Sequence, residues 1–110
     1  MVMGVEDQLG ITVRREADRV VVDLDGELDM ASAPLLQSAL DSAEVDPETM
    51  VVLDLQSLQF IDSTGLRAIL SLRDQCRERA QQFAVTRGSP QVQRLLDITG
   101  VSEHLQTPTA

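Results

Sequence analysis

Residues 50–66 read MVVLDLQSLQFIDSTGL, and the decisive change of pattern in the chain falls inside them. Met50-Val51-Val52-Leu53-Asp54-Leu55 is a near-unbroken apolar run that only Asp54 interrupts. A run of this kind marks a strand covered on both faces, and hence a parallel sheet with helices around it. After Phe60-Ile61 the period switches to helical. Leu66, Ile69, Leu70, Leu72, Cys76 and Ala80 fall on one broad face, with Asp62 or Ser63 at the cap position. A helix over 62–80 is therefore expected, entered directly from the sheet.

Upstream, Ile11-Thr12-Val13-Arg14-Arg15 and Val20-Val21-Val22-Asp23-Leu24 carry apolar residues at every second position around the polar Glu16-Ala17-Asp18. They read as an antiparallel hairpin. Gly26-Glu27-Leu28-Asp29 ends the second strand as a turn. Leu36, Ala39, Leu40 and Ala43 then recur at i, i+3, i+4 and i+7, with Ser32 as cap, Pro34 in the first turn and Asp46-Pro47 as the stop. Downstream, Phe83-Ala84-Val85-Thr86 reads as a short strand and Gly88-Ser89-Pro90 as a turn. Val92, Leu95 and Leu96 open a third, short helix that ends at Gly100, and residues 103–107 form a last edge strand. The expected fold is one compact α/β domain over 10–107, a mixed four- to five-stranded sheet flanked by helices and opened by a β-hairpin. Residues 1–9 read as a flexible start and 108–110 as a tail. No repeat or low-complexity tract interrupts the alternation.

A chain of 110 residues has room for one core. Its 43% hydrophobic and 25% charged residues place it among globular domains. Eighteen acids stand against nine basic residues, all Arg, for a net charge of −9. Neither Trp nor Tyr is present to stack bases, so nucleic acid is not expected as a partner. Residues 1–54 hold 13 acids and 3 Arg, whereas residues 55–110 hold 5 acids and 6 Arg, an asymmetry suited to oriented docking on a protein. Cys76 is the single cysteine, which excludes an intramolecular disulfide and paired-thiolate zinc sites; on the apolar helix face it reads as a small core residue. With no 18-residue apolar stretch, and Glu6 and Asp7 where a signal peptide would be apolar, a cytoplasmic protein with no membrane partner is expected, a monomer when free. The four methionines are too dispersed to form a binding surface.

Groups for catalysis are scarce: one His, one Cys, no Lys, no Tyr and no glycine-rich phosphate loop. Asp62-Ser63-Thr64-Gly65-Leu66 does not match a G-x-S-x-G elbow, and His104 reads as a surface residue near the tail. No enzyme, metal or cofactor is expected. The same five residues stand out in another way. The first N–H groups of a helix lack intrahelical partners, so an anion on Ser63 or Thr64 would be tolerated. A hydroxyl there is within reach of a kinase, and Gly65, lacking a side chain, would let another protein's backbone come close. A helix cap alone accounts for the same residue types. Glu27 and Asp29 read either as turn residues or as partner contacts, Arg67 as solvated charge or as a mate for acids on a partner, and Asp54 as a satisfied structural carboxylate near a strand end.

Phe60-Ile61-Asp62-Ser63-Thr64-Gly65-Leu66, following Val51-Val52-Leu53-Asp54-Leu55 at this distance, closely resembles the phosphorylation-site segment of STAS-domain anti-sigma factor antagonists. Gly26-Glu27-Leu28-Asp29 resembles their turn before the first helix, and Ser89 to Gly100 resembles their C-terminal helix segment. The motifs keep the family's order, and the likeness spans 10–105. It implies that Ser63 is a phospho-acceptor and that the chain is not itself an enzyme. It further implies an anti-sigma factor with ATP-dependent serine kinase activity and a metal-dependent phosphatase as partners. The implied docking surface comprises Gly26, Glu27, Leu28, Asp29, Asp62, Ser63, Thr64, Gly65 and Arg67. Many relatives continue through a further helix, which is not expected after Thr107-Pro108-Thr109-Ala110. A phosphate adds about −1.5 to −2 charges; beside one partner carboxylate at ~6 Å this costs ~1 kcal/mol in water and ~5 kcal/mol at an effective dielectric of 20. At about 1.4 kcal/mol per tenfold in affinity, one phosphate can reverse partner choice. The rival expectation is a STAS-like accessory module of a lipid or small-molecule transporter, or a nucleotide sensor, with Ser63-Thr64 as a docking cap without phosphate chemistry.

Overall fold

The sheet is organised about one long strand whose first half is buried on both faces: Val20, Val21, Val22 and Leu24 are all in the core. In the computed structural model, which describes residues 9–100, the order is β1 (Leu9–Arg15), β2 (Arg19–Leu28), α1 (Ala33–Ala43), β3 (Met50–Asp54), β4 (Leu58–Ile61), α2 (Ser63–Glu78), β5 (Phe83–Val85) and α3 (Pro90–Ile98). β1 pairs antiparallel with β2, placing Ile11 opposite Leu24 and Val13 opposite Val22. On its other edge β2 takes two parallel partners in line. Arg19–Asp23 pairs with β3, and Gly26–Leu28 pairs with β4. β5 closes the far edge of β3. Among the described residues the mixed sheet therefore has five strands, opened by the expected hairpin.

The core gathers Leu24, Leu28, Leu36, Leu53, Leu55, Leu58, Ile69 and Leu96, all fully buried. Each contributes on the order of 1.5–3 kcal/mol through removal of its side chain from water. α1 and α2 pack against one another, and α3 lies on β4, where the Ser89 hydroxyl donates to the Leu58 carbonyl at 2.8 Å. Asp54 behaves as the satisfied structural carboxylate: it accepts from the Gln56 N–H at 2.9 Å and from the Thr86 hydroxyl at 3.3 Å, joining the end of β3 to the residue after β5. Cys76 is buried, and burial pushes its thiol pKa up, as suits a core residue.

Several expectations are corrected. Gly26, Glu27 and Leu28 do not form a turn; β2 runs through them, accommodating a shift of register between Gly26 and Glu27, with Gly26 at φ 109°. Leu58–Ile61 is a strand of its own, set off from β3 by a tight turn in which the Leu58 N–H reaches the Leu55 carbonyl at 3.1 Å. Ser32 precedes α1 but does not cap it with its side chain. α2 ends at Glu78, and Ala80, placed on its apolar face by spacing, sits beyond it at φ 57°. The edge strand expected at 103–107, His104, the 108–110 tail and all but the last residue of the 1–9 start lie outside the described residues. Among the described residues no helix is long and apolar enough to cross a membrane, and no group of three or more His, Cys, Asp or Glu could hold a metal ion.

Candidate functional site

The carboxyl ends of β2 and β4 lie side by side, and α2 starts over them. Asp62 makes the junction. Its own N–H donates to the Leu28 carbonyl at 3.2 Å, continuing the pairing of β4 with β2 by one residue. Its side chain then caps α2: Oδ1 accepts from the Gly65 N–H at 2.8 Å. The other oxygen, Oδ2, accepts from the Met30 N–H at 3.3 Å. One carboxylate thus fastens the β2–α1 connection to the start of α2.

Gly65 sits against the chain's own backbone. A Cβ at this position would lie 2.3 Å from the Leu28 carbonyl oxygen and 3.0 Å from Ile61 Cγ1. The expectation that Gly65 opens a path for a foreign backbone is therefore corrected: the residue is buried, and the missing side chain makes room for β2. Leu28, fully buried, offers a partner no side chain either.

Ser63, the first residue of α2, is exposed, and among the described residues its hydroxyl has no hydrogen-bond partner. Thr64 is half-buried, while Arg67, one turn after Ser63, is exposed and without an ion pair among the described residues. Glu27 is exposed near the end of β2. Asp29 is committed to the connection it sits in: its Oδ1 accepts from the N–H groups of Ala31 and Ser32, both at 3.1 Å, and from the Ser32 hydroxyl at 3.1 Å. Ser32, fully buried, donates to the Glu27 carbonyl at 2.8 Å and accepts from the Asp29 N–H at 2.9 Å. The expected docking residues thus separate into exposed side chains (Glu27, Ser63, Arg67), half-buried ones that fix the loops (Asp29, Asp62, with Thr64 beside them), and residues that offer a partner no exposed side chain (Gly26 and Gly65, and Leu28 in the core).

The sequence reading missed Met30. It is 73% exposed beside the site, at a groove of about 380 Å³ between α1 and α2, lined also by Pro34, Gln37, Thr64, Arg67 and Ser71. Its place directly after Asp29 is the signal the sequence carries for it.

Residues 10–109 match the STAS domain family. The chain is 33% identical over 94 residues to the anti-sigma F factor antagonist of Paenibacillus polymyxa, covering 84% of this chain and 80% of that protein. It is 28% identical over 92 residues to the anti-sigma-B factor antagonist of Listeria monocytogenes, covering 84% and 81%. The crystal structure of an anti-sigma factor antagonist from Mycobacterium paratuberculosis superposes with a TM-score of 0.79 at 26% identity, over 97% of this chain and 92% of that one. A five-stranded mixed sheet, an Asp-capped second helix seated on β2 and a match over nearly the whole length make this chain a member of the STAS domain family, of the anti-sigma factor antagonist type.

Proposed function

We propose that this chain antagonises an anti-sigma factor and that phosphorylation of Ser63 switches it off. Unmodified, it binds an anti-sigma factor that is also a serine kinase, through the exposed side chains around the start of α2, and the sigma factor is released. The kinase then transfers the γ-phosphoryl group of its own ATP. The Ser63 oxygen forms the new bond to phosphorus, ADP leaves, and the hydroxyl proton passes to a base on the kinase. A phosphatase reverses the step by hydrolysis. The observation that carries this reading is the position of the Ser63 hydroxyl, exposed and free of side-chain partners among the described residues at the first position of an Asp-capped helix.

The electrostatics of that position favour a switch over an unfolding event. A phosphate at a helix N-terminus is stabilised by the helix dipole, so the fold accommodates it. Its charge faces outward, where it repels an acidic or closely packed partner surface. The test is binding of the purified anti-sigma factor, with mass spectrometry of the chain after incubation with that factor and ATP. Ser63→Ala should bind as the unmodified protein does and stay bound when ATP is added, whereas Ser63→Asp should bind at least about tenfold more weakly. Equal affinity of the two variants, or no modification at Ser63, would overturn the reading, the latter in favour of an accessory module without phosphate chemistry.

A further inference from the structure

We propose that Arg67 reads the state of Ser63: in the unmodified protein it pairs with a carboxylate on a helix of the anti-sigma factor seated in the α1–α2 groove, and after phosphorylation it turns to the phosphate on Ser63. This rests on the function proposed above and specifies the partner's chemistry at the same site. The groove has the form of a helix seat. Pro34 and Gln37 from α1 face Thr64, Arg67, Ala68 and Ser71 from α2, and the latter four recur at i, i+3, i+4 and i+7. Small side chains on the α2 wall keep it low, while Leu36 and Leu72 lie buried beneath. Met30, exposed at the groove, offers an apolar contact to an aliphatic side chain of the incoming helix.

Charge selects the occupant. Among the described residues Arg67 is the one charged side chain lining the groove, and like the side chains of Arg77, Arg79, Arg87 and Arg94 it has no ion pair or hydrogen bond there, which leaves its guanidinium available to a partner at this place alone in the groove. On a chain of net charge −9 a partner carboxylate is disfavoured over most of the surface, so pairing with Arg67 fixes the register of the bound helix. Ser63 and Arg67 are also four residues apart on α2, the spacing at which side chains of a helix meet. A phosphate on Ser63 therefore reaches the same guanidinium and competes with the partner's carboxylate for it. Loss of the partner then has two causes, repulsion by the phosphate and withdrawal of Arg67.

Two measurements test this. In the first, the purified anti-sigma factor is titrated with the unmodified chain, Arg67→Glu and Ser71→Trp, the latter filling the groove from an exposed position; melting temperatures confirm that each variant is folded. Both should bind at least about tenfold more weakly than the parent. If both bind like the parent while Ser63→Asp still fails to bind, the inference falls and the proposed function stands. If the parent itself does not bind, the proposed function falls and this inference with it. In the second, phosphorus NMR of the phosphorylated chain follows the second ionisation of the phosphoserine, ordinarily near pH ~6. It should lie lower in the parent than in Arg67→Ala, because the guanidinium stabilises the dianion. Coincident titration curves would overturn the second half of the proposal.

Discussion

Gly65 decides whether α2 can begin where it does. The Leu28 carbonyl, 2.3 Å from where a Cβ would stand, is backbone, and it is held in place by the N–H of Asp62. Neither side can give way without opening the junction of β2, β4 and α2. Gly65→Ala is therefore expected to lower stability by about 2–4 kcal/mol, measured by urea unfolding. Wild-type stability of this variant would show that α2 is not pressed onto β2. The residue was legible in the sequence only by half: a glycine three positions after a capping aspartate announces a close approach, but not whether the neighbour is the chain itself or a visitor. Asp62 is similar. Its cap to Gly65 follows from local spacing, whereas its bond to Met30, 32 residues distant in sequence, depends on the β2–α1 connection folding back over the helix start.

Among the elements, the connection from β2 to α1 shows how a correct residue type can carry a mistaken role. Ser32 reads as a helix cap, yet its hydroxyl points back toward β2, bonding the Glu27 carbonyl and the Asp29 N–H while fully buried. Removing it leaves two part-buried backbone groups short of this partner, so Ser32→Ala should cost about 1–2 kcal/mol, seen as a lowered melting temperature. An unchanged melting temperature would mean that water replaces the hydroxyl without penalty. The same local logic explains which strands were legible. β3 announces itself by a continuous apolar run and α2 by a broad helical face. β4 has inward residues only at its two ends, Leu58 and Ile61, with Gln59 and Phe60 both exposed, so no alternation betrays it. The Gly26 region reads as a turn because Gly26-Glu27-Leu28-Asp29 follows an alternating strand with glycine and acids; here the register shift beside Gly26, itself at φ 109°, lets β2 change partner from β3 to β4 and continue.

For the whole molecule, strand and helix periods sufficed to reveal the architecture, but the site combines the end of β2, the β2–α1 connection and the start of α2, and only the folded sheet brings these together. Charge is the other property that acts over the whole chain. At −9, mutual repulsion of carboxylates opposes compactness near neutrality, and mild acidification relieves it. Paired carboxylates work in the other direction. Arg14 donates to Asp23 at 2.7 Å across the β1–β2 hairpin and holds its carboxyl below the usual range. Because the folded pKa is depressed, the unfolded chain binds more protons in acid. The stabilisation is therefore present above the unfolded pKa and lost as pH falls through the folded one. Melting temperature should accordingly rise modestly from neutrality toward about pH 5 and fall steeply below about pH 4, where ordinary Asp carboxyls titrate. Asp23→Asn should melt lower than the parent near neutrality, with the gap closing as the pH drops below the depressed Asp23 pKa. A gap that stays constant from neutral to strongly acid pH would assign the loss to packing in the hairpin and remove the ion pair from the account of acid stability.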